Sequence, residues 1–149
     1  MKLPILVDQA LQIEKSVQQI ATELHTDPFF FYMGRGVNYP IALEGALKLK
    51  EISYLHAEGY PAGEMKHGPN ALIDEKLPVV VINTREKDNE ASELRYEKTH
   101  SNIVEVKSRD GIILSILTDG DELISLVSVS VVPVIQARDL LQPIFSTVP

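Results

Sequence analysis

Residues 29–40 read FFFYMGRGVNYP. Five apolar side chains run straight into a glycine-rich turn, and Asn38 and Pro40 follow as a helix start. An unbroken apolar run that ends this way is the pattern of a parallel strand buried on both faces. Pro in the first helical turn supplies a φ already suited to the helix. The segment therefore predicts a strand over Phe29–Met33, a tight turn over residues 34–36 and a helix over Tyr39–His56. Gly59, Tyr60, Pro61, Ala62 and Gly63 break that helix, and a short turn over Glu64–His67 is closed by Gly68 and Pro69.

The same alternation continues toward the C-terminus. Leu77–Ile82 (LPVVVI) and Ile112–Leu117 (IILSIL) are two further strand-length apolar runs. Residues 84–92 are polar and loop-like, Glu93–Arg109 reads as a helix, Leu126–Val134 as a fourth strand and Leu140–Thr147 as a helix start. Toward the N-terminus, Leu6, Ala10, Ile13, Val17, Ile20 and Leu24 recur at alternating spacings of four and three, which predicts one amphipathic helix over residues 3–25. Strands alternating with helices imply an α/β fold with a parallel sheet and helices on both faces. Ligands in such folds bind at the carboxyl ends of the strands, so residues 34–39 and 83–90 are candidate site loops. The domain division expected is a linker or docking helix over 1–27 and a single α/β domain over 28–149.

Composition narrows the functions available. The 149 residues carry 14 Lys and Arg against 21 Asp and Glu, a net charge of -7. No basic patch stands out, so nucleic acid is not an expected partner. There is no cysteine, which excludes disulfides, thiolate metal sites and cysteine nucleophiles, and fits a reducing, cytoplasmic setting. The N-terminal apolar run is broken by Pro4, Asp8 and Gln9 and does not read as a signal peptide. The apolar runs are far too short to span a membrane, so none is expected as a partner. No two histidines stand at metal-ligand spacing, and GRG at 34–36 is too short for a dinucleotide fingerprint. Neither a metal nor a cofactor is expected.

The predicted helix over 39–56 is apolar nearly all round, which is the mark of a buried helix. Glu44, Lys48 and Glu51 interrupt it at i, i+4 and i+7, within about 60° of one another on the helical wheel. This stripe has two readings. It is a solvent face with an ordinary i,i+4 pair, or it lines a cleft, where two carboxylates around one ammonium are a means of tuning a general base. His67, in GEMKHGP, stands outside any apolar periodicity, between Lys66 and Gly68-Pro69. Arg35 places one positive charge in the turn after the first strand.

Residues 34–74, GRGVNYPIALEGALKLKEISYLHAEGYPAGEMKHGPNALID, closely resemble the second sugar-isomerase (SIS) domain of the glucosamine-6-phosphate synthase family, and the C-terminal PIFSTVP is similar to it as well. Residues 84–110 match it weakly. The resemblance implies a three-layer αβα sandwich around a five-stranded parallel sheet. It implies an activity too: conversion of fructose-6-phosphate and glutamine to glucosamine-6-phosphate and glutamate by a glutaminase domain and two SIS domains acting together. By the same resemblance Glu51 is the base that moves a proton between C1 and C2 of the sugar, and Lys48 assists that transfer. His67 opens the sugar ring in the active site of a neighbouring subunit, which implies a homodimer. Arg35 and Glu44 are candidate substrate contacts. The residue types suit the chemistry. A carboxylate beside two adjacent carbons takes and returns one proton, a lysine donates to the oxygen on which charge develops, and a histidine exchanges protons near neutral pH.

Parts of that family's machinery are missing. No SxSGxT phosphate loop is found, no N-terminal cysteine, and no tail with an imine-forming lysine before the chain stops at Pro149. The chain is accordingly expected to be a fragment or one module of a split protein. Alone, it should be inactive and bind sugar phosphate poorly. The alternatives are a phosphosugar-binding SIS module without catalysis and a related SIS deglycase or isomerase. Retention of Glu51, Lys48 and His67 together favours a catalytic module, because a sensor needs no base.

Overall fold

Five strands lie parallel in the order β2-β1-β3-β4-β5 in the computed structural model, which describes residues 3–147. The elements in chain order are α1 (Leu3–Leu11), α2 (Glu14–Leu24), β1 (Phe29–Gly34), α3 (Tyr39–Ser53), β2 (His56–Pro61), β3 (Pro78–Asn83), α4 (Glu90–Lys107), β4 (Ile112–Thr118), α5 (Glu122–Ser125), β5 (Ser130–Val134) and α6 (Gln142–Thr147). Short 3₁₀ turns cover Gly36–Asn38, Ala62–His67 and Pro69–Leu72. Chain direction across the sheet reverses beside β1: β2 lies on one side of it and β3 on the other, with Gly34 opposite both Pro61 and Ile82. The loops after β1 and β3 flank this switch point, where doubly wound sheets hold their ligands.

Alternate side chains of each strand feed opposite layers. Phe31, Met33, Val79, Val81, Ile113 and Leu117 point to one face and close a core with Tyr96, Ile103 and Val106 of α4 and Ile124 of α5. Met33, Val79, Val81, Ile103 and Ile113 are fully buried, each contributing about 1.5–3 kcal/mol over an exposed position. Phe30, Tyr32, Ile82 and Ile116 point to the other face and meet Ile41, Ala42 and Ala46 of α3. The expected α/β sandwich with a five-stranded parallel sheet is the fold observed.

Five local expectations are corrected. The predicted helix over 3–25 is broken at Gln12 and Ile13 into α1 and α2, because its halves seek different targets. Ala10, with Leu6 and Val7, packs against Ala137 and Phe145, while Leu24 packs against the Phe30–Ala46 core. Helix α3 ends at Ser53, not His56, where Tyr54 takes the left-handed conformation at φ 61° and its N–H caps the Lys50 carbonyl. The residues read as a break then form the edge strand β2. Gly59 there is dictated by packing, since a Cβ would stand 2.9 Å from Leu43 Cδ2, and Pro61 sits at the strand's end, where an edge tolerates it. Strand β5 begins at Ser130 rather than Leu126. Residues 126–129 instead turn out of α5, which is capped by Asp121 accepting from the Ile124 N–H at 3.2 Å, and Ser128 is drawn back to the Ile124 carbonyl at 3.0 Å. Finally, α3 is not buried all round: Leu43, Leu47 and Ile52 are 43%, 42% and 77% exposed.

Candidate active site

Helix α3 is pressed onto β1 and β2 through small residues. A Cβ at Gly45 would stand 2.8 Å from the Tyr32 ring, so the helix approaches the sheet as closely as the aromatic ring permits. Its opposite face is open and carries the charged stripe. Lys48 Nζ donates to Glu51 Oε2 at 2.7 Å and stands 3.7 Å from Glu44 Oε1. The three side chains are each about half exposed. The hydrogen bond from Lys48 to Glu51 stabilises the ammonium and holds the Lys48 pKa above its ordinary value. The ladder of charges is flanked by the exposed Leu43, Leu47 and Ile52, so charged groups and apolar surface share one open helix face.

His67 stands on a different support. Its 3₁₀ turn is anchored by Ala62 and Met65, both fully buried in the core beneath α4. The His67 ring projects outward, with its side chain 64% exposed, and its Nδ1–H donates to Glu64 Oε2 at 2.8 Å. That pairing orients the ring and leaves Nε2 free to exchange a proton. His67 makes no hydrogen bond or ion pair with Lys48, Glu51 or Glu44 of its own chain. Arg35 turns toward α4: Nη2 donates to Asn102 Oδ1 at 3.3 Å. The same nitrogen would touch any Cβ at Gly63, at 2.8 Å. Arg35 thereby braces the segment that carries His67. The structure thus assembles Glu44, Lys48 and Glu51 in one cluster and holds His67 and Arg35 outside it.

Two polar constellations escaped the sequence reading. Along β2, His56 Nε2–H donates to Glu58 Oε1 at 3.0 Å and the Tyr60 hydroxyl donates to Glu58 Oε2. The phenol holds the Glu58 carboxyl below its usual range, while burial pushes Tyr60 up to about 12. The His-x-Glu-x-Tyr alternation would have signalled it had these residues been read as a strand. The second is a buried network at the carboxyl edge of the sheet, centred on Arg95 and Asp139, whose partners are too distant in sequence to pair by inspection. An apolar cavity of about 400 Å³ between α2, α3 and the sheet, with Tyr32 in its wall, includes neither Glu51 nor His67. Among the described residues no group of three or more His, Cys, Asp and Glu side chains is arranged to hold a metal ion, and no helix is long and apolar enough to cross a membrane.

A five-stranded parallel sheet with a charged stripe on the helix after β1 defines a class, and the chain belongs to the SIS domain family, whose model matches residues 27–147. The chain is similar, over 148 residues and 99% of its length, to the glutamine–fructose-6-phosphate aminotransferases [isomerizing] of Thermus thermophilus (51% identical) and Aquifex aeolicus (48%). It covers 23% and 24% of those two proteins, and so spans about a quarter of the length of the curated relatives it matches. Among solved structures, the C-terminal domain of glucosamine-fructose-6-phosphate aminotransferase from Francisella tularensis superposes with a TM-score of 0.85 at 36% identity, covering 97% of this chain and 39% of that one. The resemblance read from residues 34–74 therefore extends over the whole chain.

Proposed function

We propose that the chain is the sugar-isomerase module of a glutamine–fructose-6-phosphate aminotransferase and that its α3 stripe forms part of the active site. The single observation that carries this reading is Lys48 seated between Glu51 and Glu44, at 2.7 and 3.7 Å, on a helix face that is otherwise apolar and open. A purely solvated face has no need of Leu43, Leu47 and Ile52 beside the charges. Once another domain covers that face, water is excluded and each charge acts with more force on a bound sugar. The close relatives over 99% of the chain support the same reaction.

In this mechanism the sugar's open-chain C1–C2 unit lies over Glu51. The Glu51 carboxylate takes the proton from one carbon and returns it to the other. Lys48, already positioned by Glu51, donates to the oxygen that gains charge between the two steps. His67 opens the ring. Its pairing with Glu64 and not with the stripe of its own chain fits a subunit that lends His67 to its neighbour, so the functional unit is a homodimer. Arg35 and Glu44 contribute at the margin of the substrate. The phosphate cradle is supplied by the first SIS domain, the ammonia by the glutaminase domain, and the imine-forming lysine by the family's C-terminal tail. Residues 1–27 serve as linker and docking helix ahead of the SIS domain at 28–149, and the protein works in the cytoplasm.

The test is product formation by the full-length protein. Purified enzyme given fructose-6-phosphate and glutamine should form glucosamine-6-phosphate and glutamate in equal amounts. Tight fructose-6-phosphate binding without either product would favour the non-catalytic phosphosugar module instead.

A further inference from the structure

We propose that Arg95 is a positioning residue for the catalytic helix, acting through a buried relay that fixes the entry to α3; this rests on the functional reading of the α3 stripe given above. The relay begins at Asp139, in the segment after β5. Arg95 grips its carboxylate with two parallel bonds, Nη1 to Oδ2 at 2.5 Å and Nη2 to Oδ1 at 2.7 Å, and is only 9% exposed. A bidentate guanidinium–carboxylate pair is strong and directional, and fixes the plane of both partners. The carboxylate is held further by Ser92 Oγ at 3.0 Å, while Glu86 Oε2 accepts from the Asp139 N–H at 3.0 Å.

From this fixed point Arg95 reaches across the sheet edge. Its Nη2 also donates to the Thr84 carbonyl, at 3.1 Å, at the end of β3. The Thr84 hydroxyl in turn donates to Asn38 Oδ1 at 2.9 Å. Asn38 and Thr84 are both fully buried. Asn38 is the residue immediately before α3, and at such a position an asparagine side chain ordinarily caps its own helix. Here it makes no cap bond; its oxygen is committed to Thr84 instead. The stem of Arg95 supports the same turn from below, since a Cβ at Gly36, where φ is 57°, would stand 3.1 Å from Arg95 Cδ. Partly buried Asp139 and the buried Arg95, Thr84 and Asn38 thus form one line from the C-terminal segment to the residue immediately before α3.

Glu44, Lys48 and Glu51 ride on that helix, beginning about 9 Å along its axis from Asn38. A tilt at the helix entry is carried to all three at once, and small displacements of a reacting group are costly in rate. Lysine at position 95 keeps the charge but lacks the planar fork and holds only one partner at a time.

Two variants test the relay, Arg95→Lys and Thr84→Val, the second cutting the line without touching the ion pair. Amide hydrogen exchange on this chain should show faster exchange in the first turns of α3 for both variants, with β4 and the middle of α4 unchanged. In the full-length enzyme, kcat should fall about tenfold to a hundredfold with KM for fructose-6-phosphate held within twofold. Exchange that rises uniformly over the domain, or only in residues 135–142, would overturn the proposal and leave the network a simple staple. Loosened α3 with unchanged kcat would overturn the positioning role as well. Failure of the functional reading itself is separately visible, as full-length wild-type enzyme that makes no glucosamine-6-phosphate.

Discussion

Lys48 Nζ lies 2.7 Å from Glu51 Oε2 and 3.7 Å from Glu44 Oε1, on a helix face where the side chains are about half exposed. Exposed pairs of this kind add little to folding, because water screens the attraction and two long side chains must be ordered to form it. Lys48→Ala is therefore expected to leave the thermal unfolding midpoint of the chain unchanged while abolishing most turnover in the complete enzyme. Calorimetry beside a product assay checks both halves. A large loss of stability would make the stripe structural.

The same openness bears on the chain taken alone. A carboxylate half exposed to water lacks the preorganised, water-excluded surroundings that the proposed isomerisation requires. The isolated 149-residue chain should show no measurable isomerisation and bind fructose-6-phosphate no better than the millimolar range, roughly -4 kcal/mol. Titration calorimetry that returned micromolar binding would mean the site is complete within these residues.

His67 depends on Met65, which is fully buried beneath α4. Met65→Ala is expected to cost about 2–5 kcal/mol and to free residues 62–72, read as new proteolytic cleavage there before global unfolding. A cost below 1 kcal/mol, with no new cleavage, would show that the His67 turn is held by its neighbours instead.

If His67 serves the neighbouring subunit, two inactive variants should complement each other. Full-length Glu51→Gln mixed with His67→Asn under subunit exchange should recover about a quarter of wild-type activity, from random pairing in a two-fold dimer. No recovery despite demonstrated exchange would place His67 and Glu51 in one subunit's site.

The Arg95–Asp139 pair carries a pH signature. The bond from Arg95 holds the Asp139 pKa below the usual carboxylate value, so the pair's stabilisation is present above the unfolded aspartate value near 3.9 and is lost as pH falls through the lower folded value. Asp139→Asn should be less stable than wild type at neutral pH, with the difference shrinking below about pH 4. Urea unfolding at several pH values checks this, and a difference independent of pH would contradict the sign.

Strands β1, β3 and β4 were legible because each is a continuous apolar run bounded by turn residues, and burial on both faces leaves that mark in sequence. Strand β2 was not. HAEGYP fully buries one side chain, Ala57, and contains two residues that ordinarily break structure, with Leu43 of α3 closing over Gly59. The α3 stripe was legible because helical period places Glu44, Lys48 and Glu51 together without any tertiary information. Its exposure was not, since an all-round apolar helix looks the same whether its outer face meets its own domain or another. The Arg95–Asp139 relay joins residues 44 apart through a turn and a strand, and no local pattern announces such a pair.

The central claim is that Glu51 moves the proton. The direct measurement is solvent-isotope exchange at C1 of the sugar in full-length Glu51→Gln, alongside sugar-phosphate affinity. An amide of the same shape keeps binding but accepts no proton, so exchange should fall by a factor of about 10²–10⁴ while affinity is retained. Exchange at the wild-type rate in the Gln variant would remove Glu51 as the base and contradict the account.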